Sequence, residues 1–173
     1  LRLVFYEQGR GYELELFAAR GNFTTFSAAS FRLVGDVAQG GLQVGEGNIW
    51  FANSFNDSSW RLGTGGVGYE RGSGYGALFK IDVGAQMYQI NGSCYIRIPF
   101  TLADASFSNL LLRVRYDDGF IAYLNGAEVA RRNFTGDPRW NSVGSADNPD
   151  AAAVGQTTID ISDYAGLLGP GAN

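Results

Sequence analysis

The sequence predicts an all-β protein, an antiparallel β-sandwich with an additional N-terminal β-hairpin and one short C-terminal helix. Three observations lead there. Apolar residues recur with period two in short runs bounded by Gly, Asn and Asp, the pattern of half-buried strands. Of 173 residues 25 are glycine, aromatics reach 14% and charged residues only 17%, which suits many turn-bounded strands better than helices. Asn125-Gly126 lies between two apolar runs and is the pair best able to fill both positive-φ positions of a two-residue type I′ turn.

From the N-terminus onward, Leu1 to Tyr6 and Tyr12 to Phe17 alternate in polarity around the turn-forming Gln8-Gly9-Arg10-Gly11 and read as a hairpin. In its second strand Leu14 and Leu16 share one side, Glu13 and Glu15 the other. Residues 1–42 hold too few strands to bury a core of their own, so they are expected to be a fragment of a preceding β-sandwich domain or to lean on the C-terminal module. Glycines among polar residues in Gln39 to Asn48 mark a boundary, giving a linker at 43–48 and a second module at 49–173. Ile49-Trp50-Phe51 reads as the first strand of that module. Asn56 to Trp60 is expected to be a capped turn, with Trp60 plugging the end of the sandwich. Seven of the fourteen residues from Gly63 to Gly76 are glycine, which predicts a surface loop.

Further on, Ile96, Ile98 and Phe100 alternate with Tyr95, Arg97 and Pro99, and the first set should face the core. Leu110, Leu112 and Val114 share a face that should also point inward, opposite Leu111, Arg113 and Arg115. Asp118-Gly119 ends that strand, so it and the hairpin around Asn125-Gly126 form a three-stranded meander. Asn133 to Ala153 is polar and Pro-containing and predicts a long loop. Thr157 to Ile161 is expected as a strand, and Ser162 to Gly169 as a short capped helix.

Composition also excludes classes of function. Net charge is −4 and the basic residues, Lys80 and twelve arginines, are scattered, so a nucleic-acid backbone is not an expected partner. There is no run of 18 apolar residues to insert into a membrane. Cys94 is the only cysteine and no histidine occurs, so cysteine-based zinc sites and an internal disulfide are ruled out and the commonest general base is missing. Within its alternating run, Cys94 reads as a half-buried strand residue. Glu128, Asp117 and Asp118 invite comparison with a glycosidase carboxylate pair, but adjacent strand residues point to opposite faces and would not flank one bond. No catalysis is expected.

Tyr116-Asp117-Asp118-Gly119, with Tyr123, Asn125-Gly126, Glu128-Val129, Arg131 and Asn133, resembles the signature hairpin of galactose-binding-like jelly-roll modules in large secreted bacterial proteins. Phe55 to Trp60, Gly68-Tyr69 within its glycine tract, and Tyr95 to Phe100 are similar to further segments of that family, in the same order. The resemblance covers about residues 49–173. It implies a galactose-binding-domain-like jelly roll acting as a non-catalytic accessory module, secreted or at the bacterial cell surface. It also implies that the final strand, which normally comes after a Gly-x-Asn such as Gly171-Ala172-Asn173, is missing. Residues 1–42 are similar to the tail of a protective-antigen-type sugar-binding β-sandwich, through the first hairpin, Phe31 to Asp36 and Gly40-Gly41-Leu42.

Carbohydrate binding needs aromatic rings that stack on sugar faces and planar polar groups for hydroxyls. The loop candidates are Trp140, Tyr69, Tyr75 and Phe134, with Arg132, Asn133, Asp137 and Arg139 as polar partners; the competing role for Trp140 is a loop anchor over the core. Asp117 and Asp118 are the candidate calcium ligands, since in protective-antigen-type adhesins a similar pair, joined by a cis peptide, holds calcium against the sugar. Turn chemistry is the alternative explanation of both residues. The expected function is therefore a carbohydrate-binding accessory module, with no cofactor beyond that calcium, whose partners are a glycan or polysaccharide and neighbouring domains of the same polypeptide. A structural spacer with no small-molecule ligand is the alternative.

Overall fold

The computed structural model describes residues 2–6, 14–19, 32–34, 50–51, 55–139 and 141–173, the first three stretches by backbone alone. Strands dominate. They are β1 (Arg2–Tyr6), β2 (Leu14–Ala19), β3 (Arg32–Val34), β4 (Val67–Gly68), β5 (Ile81–Asp82), β6 (Ser93–Arg97), β7 (Thr101–Leu102), β8 (Asn109–Val114), β9 (Gly119–Leu124), β10 (Ala127–Arg132), β11 (Thr157–Asp160) and β12 (Gly171–Ala172). Helical structure is limited to α1 (Gly84–Met87), α2 (Asp150–Ala153) and a 3₁₀ segment, Ser162–Leu167.

Two four-stranded antiparallel sheets carry the fold, in the orders β10-β9-β1-β6 and β11-β8-β2-β3. Two small pairs accompany them, β7 with β12 antiparallel and β4 with β5 parallel. β1 and β2, which the sequence pattern pairs as a hairpin in the tail of a preceding domain, do not pair with each other but enter different sheets as interior strands: β1 lies between β9 and β6, and β2 between β8 and β3. The turn at residues 8–11, the linker at 43–48 and Ile49 lie outside the described residues, as do the side chains of residues 14–19.

One core draws on both sheets, and alternation explains which residues enter it. Leu110, Leu112 and Val114 of β8 meet Ile96 of β6 and Phe120, Ala122 and Leu124 of β9, all at 1% exposure or less. Cys94 and Val129 lie in the same core, with Ile98 packed at its edge. The other face of the first sheet is covered as well. Tyr95, Ile121 and Tyr123 are buried there with Trp50 and Phe134. Trp50 meets Tyr95 and Tyr123 edge-on at 5.2 and 5.5 Å, and Phe51 stacks on Tyr123 at 5.0 Å. β9 is therefore buried on both faces along its whole length, as the unbroken run Phe120-Ile121-Ala122-Tyr123-Leu124 allows.

Three expectations need correction. Trp50 and Phe51 form a turn rather than a strand, because their rings are spent covering the sheet face. The glycine-rich tract is not simply a surface loop: it contributes β4, and Val67, Tyr69 and Tyr75 are buried. Asn133 to Ala153 is not purely a loop either, since it ends in α2. The turn at Asn56 to Trp60 forms as expected, with Ser58 N–H donating to Asn56 Oδ1 at 3.1 Å and Trp60 N–H to Asp57 O at 2.8 Å. Arg97 holds it against β6 by donating to Phe55 O at 3.0 Å and pairing with Asp57. Trp60 packs on Phe55 at the margin of the second cluster.

The β9–β10 hairpin closes through Asn125 (φ 47°) and Gly126 (φ 91°), both positive as a type I′ turn demands. Gly126→Val would place a β-branched residue there and is expected to cost more than about 1 kcal/mol in a thermal melt. An unchanged melt would mean the turn is of another kind. Asn125 Nδ2–H also donates to Leu167 O at 2.8 Å and Asn173 Oδ1 at 2.9 Å, tying the hairpin tip to the C-terminal segment. In β10 the register shifts between Glu128, opposite Tyr123, and Ala130, opposite Ala122, leaving Val129 as the extra residue of a β-bulge. Before the 3₁₀ segment, the Ser162 hydroxyl and N–H both serve the Asp160 carboxylate and hold its pKa below the usual range.

Candidate functional site

The corner between β8 and β9 gathers part of the expected set. Asp117 and Asp118 are both buried, and Asp118 sits at φ 56°, a conformation Asp tolerates better than most residues. The Asp117 carboxylate accepts the Asp118 N–H at 3.1 Å, and Asp118 Oδ1 accepts the Asn148 N–H at 3.3 Å. Asn133, at φ 49°, donates through Nδ2 to Asp118 O at 2.7 Å, while its own carbonyl accepts Ser145 N–H at 2.7 Å. Asn148 Nδ2 donates to Tyr116 O at 2.6 Å. These bonds fasten the loop after β10 onto the meander.

Calcium must be weighed against that geometry. The peptide bonds among the described residues, including the one joining the two aspartates, are all trans, unlike that of the adhesins. Among the described residues no group of three or more His, Cys, Asp or Glu side chains gathers anywhere. A cation at this corner would have two carboxylates and would draw the rest of its six to eight oxygens from carbonyls, amides and water.

The expected sugar-stacking rings lie elsewhere, and burial changes their role. Tyr75 is 2% exposed with its hydroxyl donating to Asp150 O at 3.0 Å, so it anchors α2 to the glycine-rich tract. Tyr69 is in the main core, and Phe134 lies in the second cluster under the Arg131 guanidinium, 5.8 Å from the ring centre. Neither Tyr75 nor Phe134 offers a face to a ligand. Trp140 lies outside the described residues. Of the polar partners, Arg132, Asp137 and Arg139 are exposed.

A feature that sequence patterns alone do not single out is an open cleft of about 400 Å³ lined by Tyr69 and residues 87–92. Its construction is a matter of local chain chemistry. Asp82 Oδ1 accepts Gly84 N–H at 2.7 Å and starts α1, Met87 buries its side chain, and the Ile90 and Asn91 N–H groups both return to Met87 O. Gln89 at φ 58° completes the reversal. The outcome is a buried Tyr69 at the floor with Tyr88 edge-on to it at 6.1 Å, and exposed Tyr88 (38%) and Ile90 (63%) at the rim. Arg71 lies over the Tyr88 ring at 4.2 Å.

The expected loop meets this cleft from the other side. Gly92 N–H donates to Asn141 Oδ1 at 2.5 Å, and a Cβ on Gly92 would come within 2.6 Å of Val143. Arg139 N–H donates to Ser142 Oγ at 2.8 Å, and Tyr95 donates its hydroxyl to Arg139 O at 3.3 Å. Thus the structure joins Tyr69 and the Arg139-bearing loop at one place and keeps Asp117, Asp118 and Asn133 at another.

On the far side of the hairpin, Arg131 grips Glu128 through Nε and Nη2 at 2.5 and 2.6 Å. Tyr123, cross-strand from Glu128, has its pKa raised by burial first and by the Glu128 carboxylate next, with Arg131 opposing. Because the folded state holds this proton more tightly, the associated stability is complete below the ordinary tyrosine pKa of about 10 and is lost as pH rises through the higher folded value. Urea midpoints measured across alkaline pH should fall less steeply in Tyr123→Phe than in the wild type. Parallel curves would show that another group governs the alkaline limb.

Comparison with family models, with curated proteins and with solved structures finds no match in any of the three. Among the described residues no helix is long and apolar enough to cross a membrane.

Proposed function

We propose that this chain is a non-catalytic carbohydrate-binding module, a jelly-roll sandwich of the galactose-binding-like kind, serving a larger secreted or cell-surface bacterial protein. The shared core between two antiparallel sheets supports the sandwich reading. One observation carries the functional reading, the open cleft beside residues 141–143. The exposed part of the Tyr88 ring and the Ile90 side chain supply apolar surface for a sugar's C–H face, and Gln89 and Asn91 supply planar amides for hydroxyls.

A glycan array and then titration calorimetry test this, using the wild type, Tyr88→Ala and Trp140→Ala. Binding weakened about tenfold by Tyr88→Ala, the size of one lost stacking contact, supports the cleft. Loss on Trp140→Ala together with Tyr88→Ala extends the site onto the loop. Repeating the titration with calcium and with a chelator tests Asp117 and Asp118 as cation ligands. Silence across the array from a folded protein would leave the structural spacer as the better account.

A further inference from the structure

We propose that the sugar taken by this cleft is a carboxylated one, a uronic acid residue, bound through Arg71 with Arg139 as a second cationic contact; this rests on the carbohydrate-binding reading above. The arginines whose side chains are described divide into two groups. Arg61, Arg97, Arg113, Arg115, Arg131 and Arg132 each donate from the guanidinium to an oxygen or carboxylate of the protein. Arg71 and Arg139 have no such acceptor among the described residues.

Arg71 reaches the cleft through the ring of Tyr88, one of its lining residues. Arg71 is held there by stacking on Tyr88, which fixes the guanidinium plane while leaving its N–H edges to a ligand. Arg139 belongs to the loop whose Asn141 bonds Gly92 on the cleft rim. A carboxylate is the ligand group that matches a guanidinium fork in charge and shape, through two parallel charge-assisted bonds.

The neighbouring acids do not claim that role. Glu70, next to Arg71 in sequence, turns both carboxylate oxygens inward onto the Tyr75 and Gly76 N–H groups at 3.0 and 2.8 Å. Asp82 is committed to the Gly84 N–H. Asp137 is exposed on the same loop as Arg139. Since the chain carries a net charge of −4, its overall field does not draw anions in. Recognition is therefore local, and it should weaken with salt as exposed charge pairs do.

The test titrates the wild type with trimers of galacturonic and of glucuronic acid, and with trimers of galactose and of glucose, at low and at high salt. A uronate trimer is expected to bind about tenfold tighter than its neutral counterpart at low salt, the order for a charge-assisted pair at an exposed rim. Arg71→Gln should erase that preference, and Tyr88→Ala should weaken the binding of acidic and neutral trimers alike. Equal binding of acidic and neutral trimers, or a preference that survives both Arg71→Gln and Arg139→Gln, overturns the uronate assignment and leaves the module reading standing. No binding by any trimer from a folded protein overturns both.

Discussion

Gly119→Ala is expected to lower stability by more than about 2 kcal/mol, through overpacking against atoms that cannot move. A Cβ at Gly119 would come within 2.6 Å of Asn133 O and 2.9 Å of Arg132 O. Both are backbone atoms at the point where β10 ends. Asn133 is pinned there by its bonds to Asp118 O and Ser145 N, so relief would break the corner or the first pairing of the hairpin. Gly166→Ala is the control, because a Cβ there meets nothing within 4 Å. Urea denaturation of the two variants should separate them clearly. If their midpoints coincide with the wild type's, β10 does not pass that close to Gly119.

The second large effect is expected at Phe120, where truncation to alanine should cost about 3 to 5 kcal/mol. Its side chain is fully buried between the sheets, and its ring meets Tyr116 edge-on at 4.9 Å. The loss combines transfer of the ring, the cavity left behind and the aromatic pair. Against a total stability of about 5 to 15 kcal/mol, typical of domains, this change alone can unfold the protein on mild warming. Leu62→Ala, at a position 68% exposed, should stay within about 0.5 kcal/mol of the wild type. A Phe120→Ala protein that melts with the Leu62→Ala protein would sink the placement of β9 between two covered faces.

Some of this was legible because the chemistry is local. Asn125-Gly126 announces its own turn, since few other pairs adopt positive φ twice. Ile96 with Phe100, and Leu110 with Leu112 and Val114, announce a shared face through alternation alone. Alternation says nothing about whether the opposite face is also covered. That is why Tyr95 reads as opposite the core until Trp50 is seen against it. The unbroken apolar run from Phe120 to Leu124 was the available signal for two covered faces.

Glycine content misled in the tract at 63–76, where Gly63 lets the Ile81 side chain approach closely rather than marking exposed chain. Aromatic residues in a loop suggested exposure for Tyr69, Tyr75 and Phe134, but large rings in loops are also the means by which loops dock. Of the residues singled out in the sequence, Tyr69 lies at the cleft and Asp117, Asp118 and Asn133 lie together at the corner. The cleft itself was not legible. It depends on a four-residue helix and on positive φ at Gln89, neither of which leaves a periodic trace.

The placement of β1 has a consequence for how the chain comes together in time. The β9–β10 hairpin closes across two residues and can form within microseconds. By contrast, β1 pairs with residues 93–97 on one side and 119–123 on the other, and β2 with residues 109–114. During synthesis the two N-terminal strands therefore emerge long before their partners exist. The first sheet cannot grow outward from its hairpin to completion, because its third strand comes from the far end of the sequence and pays a large loop-closure entropy. Until β1 enters, β6 and β9 each present an open edge, and a second copy's β1 fits those edges as well as the chain's own. Folding and association thus compete for the same hydrogen bonds, with concentration deciding the outcome.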